Sequence, residues 1–531
     1  MSAPVDLAAL VAAADPAALL PGRHRAEAER ITTPLRLRDS VDLGGDVLLL
    51  VTEDAGGTRY PVPAVLDEDR LRRALPGDGA GLALVAALAE RGASPADLGG
   101  AGCTFVSWRT AAVAHEQAID VDQSNESVIV AADDGAEDGS ESAVVKWTVR
   151  STAGPHPAPA RLERLVAAGF EAMPHPWGLV LWTPAPGEPP ELVATVATLV
   201  PGARDGWDWA VEDVRALARG ADPGAAEAAP ARLGAIVAAM HLALADPEPT
   251  RADTATARRW RDDALAGLAE ARQVIDGAEG ARLERHADAV ADALASLGDA
   301  AGTPLIPIHG DLHVGQVLRG ADGALKITDF DGNPVASGPE RVAPQPAAVD
   351  VASMLQSLDH VAYVVLHRTT GVDEATVTAW QERAQADFLA AYRTALADAG
   401  RADLLDERLL EPLRLRQVCR EYVYAGRHLP HWRYVPDRAV AARFGEPPPP
   451  AGLGASTTPP AGRGASTTPP AGRGASTTPP AGRGASTTPP AGLGASTTPP
   501  AGLGASTAPP AGRGASGASD RDPDPDPEEP R

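Results

Sequence analysis

Residues 306–334 of the chain read IPIHGDLHVGQVLRGADGALKITDFDGNP, and this stretch decides the fold. It contains two apolar runs, IPI and LKIT. Each is followed by a polar turn with acidic residues, His309-Gly310-Asp311 after the first and Asp329-Phe330-Asp331 after the second. Carboxylates grouped in this way can hold a metal ion, support phosphoryl transfer or line a polar loop between two strands. The three alternatives differ in what the rest of the chain must supply.

The first alternative is a dinuclear metal centre. Asp311-x-His313-x-Gly315 matches the first motif of dinuclear metallophosphoesterases, in which the aspartate and the histidine hold one metal. This chemistry needs further ligands, which usually include a later Gly-Asn-His motif. The sequence contains no Gly-Asn-His, and its only Gly-Asn pair, Gly332-Asn333, is followed by proline. We therefore do not favour a metallophosphoesterase.

Phosphoryl transfer explains the same residues better. A kinase needs a carboxylate beside the acceptor hydroxyl and oxygen ligands for Mg²⁺, because the metal bridges the phosphates of ATP. Asp311 directly follows the first apolar run, and Gln316, five residues later, supplies an amide oxygen where protein kinases have a metal-binding asparagine. Asp329 follows the second run and can supply a metal carboxylate. This order of carboxylate, amide, strand and Asp-Phe-Asp-Gly is typical of phosphoryl transfer.

A kinase also needs a lysine on a central strand that touches the ATP phosphates and pairs with a glutamate on the next helix. The chain has only two lysines among 47 basic residues, and Lys146 lies in the strand-like segment SAVVKWTV. Glu163, in the following helical segment ARLERL, is the best-placed partner. The preceding connection, DQSNESVIV, has no glycine, but its small polar residues could turn backbone N–H groups towards phosphate. These residues are Ser124, Asn125 and Ser127.

Composition limits the function further. The net charge of −24 argues against a nucleic-acid partner, which needs a basic face. The two cysteines cannot form a disulfide framework or a zinc cluster. The first apolar segment has no basic flank and no apolar run is long enough to span a bilayer, so we expect no secretory signal and no membrane partner. A cytoplasmic protein is expected, as a monomer or a small homo-oligomer.

Repeats and composition divide the chain into four parts. From residue 451 the decamer AG(L/R)GASTTPP recurs, and such Gly-, Ser- and Pro-rich sequence cannot bury a core. We therefore predict a disordered repeat tail over 446–531. Before it we predict an N-terminal α/β cap (1–100), a strand-rich ATP-binding lobe (101–204) and a helical lobe (205–445).

Hydrophobic periodicity predicts the elements within these parts. Apolar runs bounded by Asn, Asp and Gly predict strands at 35–39, 46–52, 59–66, 115–121, 126–132, 142–149, 178–182 and 192–199. Helical spacing of apolar residues predicts helices at 5–15, 80–92, 158–169, 207–218, 229–246, 253–275, 281–297, 347–366, 374–399 and 403–426.

The motifs together resemble a known superfamily. HGDLHVGQVL with ITDFDGNP resembles the aminoglycoside-phosphotransferase-type kinases, and more closely their maltokinase-like branch, in which Gln replaces the usual metal-binding Asn and a cap precedes the lobes. The likeness runs over about residues 1–440, through DQSNESVIV, VVKW, GPHPAPARLE, VPGARDGWDWA and CREYVYAGRHLPHWRYVPD. Maltokinases tend to have DFEGEP where this chain has DFDGNP, which is similar to actinobacterial glucosamine kinases. The resemblance implies an α+β, bilobal protein-kinase-like fold with an N-terminal α/β cap.

The same resemblance implies roles for the motif residues. Asp311 would orient or deprotonate the acceptor hydroxyl, Gln316 and Asp329 would hold Mg²⁺, and Lys146 would hold the phosphates of ATP. His309 would brace the loop. Two further residues keep alternative roles. His313 either contacts the sugar or phosphate or packs in the core, and Asp331 either supports the metal or accepts a sugar hydroxyl.

The resemblance also implies an acceptor, D-glucosamine, with glucosamine 6-phosphate as the product. A site for an amino sugar should offer a carboxylate to the ammonium group and an aromatic face to the ring. We predict Glu421 as the ammonium partner, with Tyr424 and Trp432 as aromatic contacts. The Trp207-Asp208-Trp209 cluster is expected to be packing.

Two alternative functions stay open from the sequence. The chain could be a maltokinase that forms maltose 1-phosphate. It could also belong to another class, as a nucleotide-binding pseudokinase that acts as a partner-binding module. The complete set of Lys146, Asp311, Gln316 and Asp329 speaks against a pseudokinase, which usually lacks one of these residues.

Overall fold

The computed structural model describes residues 5–21, 31, 33–67, 70–92, 101–119, 126–132, 142–151, 153–246, 248–333, 336 and 338–447. The predicted tail beyond Pro447, and the predicted loop residues Ser124 and Asn125, lie outside the described residues. The described chain forms a cap, a six-stranded sheet with one helix, and a helical lobe.

The cap consists of short helices and a four-stranded antiparallel sheet. Its elements are α1 (Leu7–Ala13), α2 (Pro16–Leu19), β1 (Arg36–Gly44), β2 (Val47–Glu53), β3 (Arg59–Asp67), β4 (Arg70–Arg73) and α3 (Ala80–Arg91), with the strands in sequence order. Alternate residues of β2 face opposite sides of the sheet. Leu50 packs in the core that includes α1 and α2, whereas Leu49 and Val51 pack in the core that includes α3. Each such buried side chain contributes about 1.5–3 kcal/mol, and the cap sheet is covered on both faces.

The second sheet carries the predicted lysine. Its strands are β5 (Gly102–Ser107), β6 (His115–Ala118), β7 (Glu126–Ala131), β8 (Ser142–Trp147), β9 (Pro176–Thr183) and β10 (Glu191–Thr198), in the order β5-β9-β10-β8-β7-β6. All neighbours are antiparallel, and α4 (Ala158–Ala167) lies between β8 and β9 in the chain. Lys146 on β8 pairs with Ser127 on one side and Thr195 on the other. The prediction that Lys146 lies on a central strand is confirmed.

The cap and the second sheet share one hydrophobic core. Leu49 and Val51 of β2 belong to the same buried cluster as Val145 and Trp147 of β8. The carboxylate of Glu116 on β6 accepts hydrogen bonds of 2.8, 3.2 and 2.5 Å from three backbone amides beside α3, those of Gly77, Gly79 and Gly81. The cap is therefore packed and hydrogen-bonded onto this sheet.

The helical lobe is built around one buried helix. Its helices are α5 (Gly206–Leu217), α6 (Gly224–Leu244), α7 (Thr254–Val274), α8 (Gly277–Arg285), α9 (Ala287–Ala295), α10 (Gly338–Val342), α11 (Ala348–Arg368), α12 (Glu374–Asp398), α13 (Leu410–Arg427) and α14 (Tyr434–Arg443). Nearly every residue of α11 is buried, so α11 forms the centre of the lobe. Helices α6 and α12 lie so close that a Cβ atom on Gly234 would lie 2.2 Å from the carbonyl oxygen of Phe388.

Two small sheets complete the lobe and hold the opening stretch. They are the pair β11 (Thr250–Arg251) and β12 (Pro304–Leu305), and the hairpin β13 (Val317–Arg319) and β14 (Leu325–Ile327). The hairpin sets the spacing between the two acidic turns, because β13 follows the first turn and β14 precedes the second.

Most predicted elements are present, with differences of a few residues at their ends. The prediction missed the strands β4 and β5, which lie at sheet edges, and the helices α2, α10 and α14. The single helix predicted at 281–297 is wrong, because the chain forms α8, α9 and a 3₁₀ turn (Ser296–Asp299) there. The described residues contain no helix that is both long and apolar enough to cross a membrane.

Candidate active site

The backbone of the first acidic turn is held by a buried carboxylate. Asp350, near the start of α11, is fully buried and accepts hydrogen bonds from the amides of His309 (2.7 Å) and Gly310 (2.9 Å). The His309 ring donates through Nε2 to the carbonyl oxygen of Thr328 at 2.9 Å, which ties the first turn to the second. The predicted bracing role of His309 is confirmed. Asp350 was missed, because it lies about 40 residues from the motif.

The second acidic turn meets Lys146 from the opposite lobe. The Lys146 ammonium lies 2.8 Å from Oδ1 of Asp329 and 3.1 Å from Oδ2 of Asp331. Asp329 has a φ of 66°, the only positive φ among the described residues other than glycine. Gln316 donates through Nε2 to Oδ2 of Asp329 at 3.3 Å. We call Lys146, Asp311, Gln316, Asp329 and Asp331 the charged centre.

Electrostatics within the charged centre keep two of its groups ionised. Burial alone would lower the pKa of Lys146, but Asp329 and Asp331 raise it above its usual value. Burial alone would raise the pKa of Asp331, but Lys146 holds it below the usual range. The lysine thus offsets the negative charge of the two carboxylates that lie within hydrogen-bond distance of it in a partly buried site.

Asp311 has the opposite electrostatic environment. Burial raises its pKa well above the ordinary value of an aspartate, and the nearby charges of Asp329 and Asp350 raise it further. A raised pKa brings a carboxylate closer to the range in which it accepts and returns a proton. This environment suits the predicted role of a general base.

The predicted pairing of Lys146 with Glu163 is wrong. Glu163 lies on the exposed face of α4, whereas Arg161 and Leu165 lie on its buried face. Positions two apart on a helix point about 200° away from each other, so Glu163 cannot share the inward face with these two residues. The contacts of Lys146 are instead with Asp329 and Asp331.

Arg161 occupies the inward face of α4 and was missed. Its guanidinium donates to the carbonyl oxygens of His309 (3.1 Å), Phe330 (2.9 Å) and Arg341 (3.2 Å). Arg161 therefore holds both acidic turns against α4, the helix of the six-stranded sheet, through contacts with their backbone carbonyl groups. The sequence contains 45 arginines, and nothing in the residues around Arg161 shows that this arginine is buried.

The predicted phosphate-loop residues are only partly described. Ser127 lies half-buried on β7, directly across from Lys146 on β8. This places Ser127 beside the charged centre. The predictions for Ser124 and Asn125 stay untested, because both lie outside the described residues.

The ring of His313 belongs to a cluster of buried aromatic side chains in the helical lobe. The indole ring of Trp207 stacks against the rings of His313 and His360, at centroid distances of 6.0 and 6.2 Å. The His360 ring meets Trp432 edge-on at 6.4 Å, and its Nε2 lies 3.1 Å from Oε1 of Glu421. We call Trp207, His313, His360, Glu421 and Trp432 the aromatic pocket. The aromatic pocket includes His313, close to the first acidic turn in the chain, and two of the residues predicted to contact the amino sugar, Glu421 and Trp432.

Glu421 is the only carboxylate of the aromatic pocket. It is fully buried, and it accepts hydrogen bonds of 3.3 Å each from Gln356 and Gln417. Neutral amide donors hold the carboxylate in place, and His360 is its third neighbour; no arginine or lysine of the described residues forms an ion pair with it. Such an arrangement favours a cationic ligand group at this position.

Several polar atoms of the aromatic pocket have no protein partner. Among the described residues, Nδ1 of His313 and the indole nitrogens of Trp207 and Trp432 are buried without a hydrogen bond. Burial, together with His309 and His360, lowers the pKa of His313 to about 3, so its ring is neutral. Buried polar groups are normally hydrogen-bonded, so the lack of a partner for these three atoms among the described residues favours a polar ligand group beside them.

The two tryptophans of the predicted packing cluster are both buried, and Tyr424 is half-buried. Trp209 is packing as predicted, with its indole N–H donating to the Val317 carbonyl oxygen at 3.0 Å. Trp207 is also packed in the buried core of the helical lobe, as predicted, where its ring stacks against His313 and His360. Tyr424 is half-buried and lies against His428, with a ring distance of 5.4 Å, so its predicted sugar contact remains untested.

The fold and the charged centre define the class. A lysine on a central strand, held by carboxylates from a second, helical lobe, is the arrangement of a kinase-like phosphotransferase. The predicted bilobal, protein-kinase-like α+β fold with its N-terminal cap is confirmed.

Known relatives define the family within that class. A glucosamine kinase of Streptacidiphilus jiangxiensis is 49% identical over 439 residues, which are 81% of this chain and 96% of the relative. A glucosamine kinase of Mycolicibacterium smegmatis is 43% identical over 411 residues, covering 77% of this chain and 98% of the relative. The chain belongs to the glucosamine kinases, and the resemblance drawn from its motifs is confirmed. No general family model matches the chain.

Solved structures agree with this assignment. A glucosamine kinase structure aligns with a TM-score of 0.72 and 45% identity, over 83% of this chain and all of that chain. The structure of a glucosamine kinase in complex with glucosamine, ADP and inorganic phosphate aligns with a TM-score of 0.71 and 45% identity, over 83% of this chain and 99% of that one.

Proposed function

We propose that the protein transfers the γ-phosphoryl group of ATP to the 6-hydroxyl of D-glucosamine and forms glucosamine 6-phosphate. The observation that carries the proposal is the connection between two sites. His313 follows Asp311 of the charged centre by two residues in the chain, and its ring stacks on Trp207 of the aromatic pocket, which also contains the buried carboxylate of Glu421. A phosphate donor and an amino sugar would thus be held beside each other.

In this proposal Asp311 orients the acceptor hydroxyl and accepts its proton. Its raised pKa supports that role, since a base with a pKa near the working pH both takes and returns a proton efficiently. Lys146 holds the ATP phosphates and stabilises the charge on them during in-line transfer. His309, Asp350 and Arg161 keep the backbone of both acidic turns in place, as their hydrogen bonds indicate.

The donor atoms of the charged centre fit Mg²⁺. The side chains of Gln316, Asp329 and Asp331 offer amide and carboxylate oxygens, the ligands that this hard cation prefers. We propose that Gln316 and Asp329 hold the metal and that Asp331 supports it. When bound, the metal would neutralise phosphate charge.

Glu421 is the proposed partner of the glucosamine ammonium group. Its carboxylate is buried among neutral donors, and a charge-assisted hydrogen bond is about twice as strong as a neutral one. Trp432 would provide an apolar face for the sugar ring, and its free indole N–H could meet a sugar hydroxyl. His313 is the proposed contact at the end near the charged centre. The predicted sugar contact of Tyr424 remains a prediction. So do the predicted phosphate contacts of Ser124, Asn125 and Ser127.

A panel of sugars assayed by coupled ADP release with ATP and Mg²⁺ tests the proposal. We expect glucosamine to have the highest kcat/KM, with glucose lower because it lacks the ammonium group, and maltose inactive. Phosphorylation of maltose but not glucosamine would overturn the acceptor and support a maltokinase. Nucleotide binding without turnover of any sugar would instead support a pseudokinase.

A further inference from the structure

Two more buried polar side chains continue the hydrogen bonds of Asp350 on the side away from the first acidic turn. Because that turn contains Asp311, we call it the catalytic turn. Nε2 of His241 on α6 lies 3.2 Å from Oδ2 of Asp350, and Nδ1 of His241 lies 2.7 Å from the hydroxyl of Tyr392 on α12. The His241 and Tyr392 rings meet edge-on, at 5.7 Å and 81°. All three residues are fully buried.

The hydrogen bonds in this chain have only one consistent direction for a neutral ring. A carboxylate only accepts, so Nε2 of His241 must carry the proton and donate to Asp350. Nδ1 is then an acceptor, and the Tyr392 hydroxyl is the donor that satisfies it. Tyr392 thereby fixes both the tautomer and the orientation of the His241 ring.

Asp350 links the His241 ring to the backbone of the catalytic turn. Its Oδ2 receives the His241 N–H and the backbone N–H of His309, and its Oδ1 receives the backbone N–H of Gly310. The next residue is Asp311, the proposed base. Three donors in fixed directions hold the Asp350 carboxylate in one orientation. That orientation in turn fixes the backbone amides of His309 and Gly310, which precede Asp311.

We propose that His241 and Tyr392 are positioning residues for phosphoryl transfer, which act through Asp350 on the backbone that presents Asp311. The inference rests on the proposed function, because it takes Asp311 as the base. It assigns a role in turnover to two side chains of the helical core that touch neither substrate.

A second buried carboxylate on the same helix provides a matched control. Asp359, nine residues after Asp350 on α11, is held by Gln381 and Gln385 of α12 and by Arg414 of α13. Its partners all lie on neighbouring helices of the core. Removing one donor from Asp359 therefore reproduces the structural loss without touching the catalytic turn.

The test compares four variants by kcat, by KM for ATP and glucosamine, and by Tm. His241→Leu should lower kcat at least about tenfold, with both KM values within about twofold, because misplacement of the base affects the transition state. His241→Gln keeps a donor near the Nε2 position and should restore kcat to within about threefold of wild type. Tyr392→Phe, which removes one oxygen atom, should lower kcat about three- to tenfold. Gln385→Leu should lower Tm with kcat unchanged.

Two outcomes would overturn the inference. One is a kcat for Tyr392→Phe equal to that of wild type, which decides the matter even if His241→Leu does not fold. The other is a His241→Leu variant that loses Tm, as Gln385→Leu does, with no change in kcat. Failure of the proposed function is a separate result, since wild type itself would then not phosphorylate glucosamine.

Discussion

The charged centre and the aromatic pocket are built in different ways. The charged centre consists of residues in turns and on one strand, and opposite charges from the two lobes hold it together, as the contacts of Lys146 with Asp329 and Asp331 illustrate. The aromatic pocket lies within the helical lobe, where stacked rings and neutral donors surround one carboxylate. The difference separates two tasks. Changes in the charged centre should slow transfer to every sugar, and changes in the pocket should alter the choice of sugar.

The largest expected effect is that of Asp311→Asn. The amide keeps the size of the side chain but cannot accept the proton, so kcat should fall by about a thousandfold for every active sugar. Coupled ADP release measures this loss. Because burial raises the pKa of Asp311, the folded chain favours the uncharged form, and the variant should have a Tm at or above that of wild type. Undiminished turnover would remove Asp311 as the base.

The next largest effect is expected for Lys146→Met. The substitution leaves Asp329 and Asp331 without their cation and removes a charge from the ATP phosphates, so kcat should fall about 100- to 1,000-fold. Glu163→Ala is the matched control, because an exposed Glu163 predicts a change of less than about twofold. A large loss in Glu163→Ala would mean that the lysine changes partner when nucleotide binds.

Glu421→Gln tests the other half of the comparison. The amide keeps the shape and removes the charge, so the preference for glucosamine over glucose should fall about 10- to 100-fold while transfer to glucose continues. The ratio of the two kcat/KM values is the measurement. Equal losses for glucosamine and glucose would place Glu421 in the core rather than at the ammonium group.

The pH dependence sharpens the role of Asp311. The base must be ionised, and its pKa is raised by burial and by Asp329 and Asp350, so kcat/KM should fall as pH drops through that raised value. The expected slope is about tenfold per pH unit on the acid side, starting above the ordinary aspartate value of about 3.9. The residual activity of Asp311→Asn should lack this limb. An acid limb shared by the variant would assign the titration to another group.

Removal of the repeat tail is expected to have the smallest effect on turnover and Tm. A chain that ends at Pro447 keeps every described element, and its turnover and Tm should equal those of the full chain. Glu446 should remain, because it accepts hydrogen bonds from Arg285 (2.7 Å) and His286 (2.7 Å) on and beside α8. Glu446→Gln should lower Tm slightly, since exposed ion pairs contribute little. A loss of turnover on truncation would give the repeats a role in catalysis.

The sequence predicted the charged centre well, because its parts are local. Asp311, Gln316 and Asp329 lie within two short strand–turn units, and Lys146 is a rare residue on an apolar strand. The pairing with Glu163 was wrong because Glu163 lies on the outward face of α4. An error of two residues in the helix phase, about half a turn, is enough to exchange Glu163 for Arg161.

The aromatic pocket was predicted only in part. Glu421 and Trp432 were found as an acidic and an aromatic residue near the end of the helical lobe. Trp207 and His360 were not recognised, because they lie on α5 and α11 and meet only through helix packing. The same reason applies to Asp350, whose contacts with the catalytic turn depend on the start of α11.

Identification of the product tests the central claim most directly. Glucosamine and ATP with Mg²⁺ should yield ADP and a sugar phosphorylated on O6, as read by phosphorus and proton NMR. Asp311→Asn should yield neither product at a comparable rate. Phosphate on another oxygen, or release of inorganic phosphate without a phosphorylated sugar, would contradict the account.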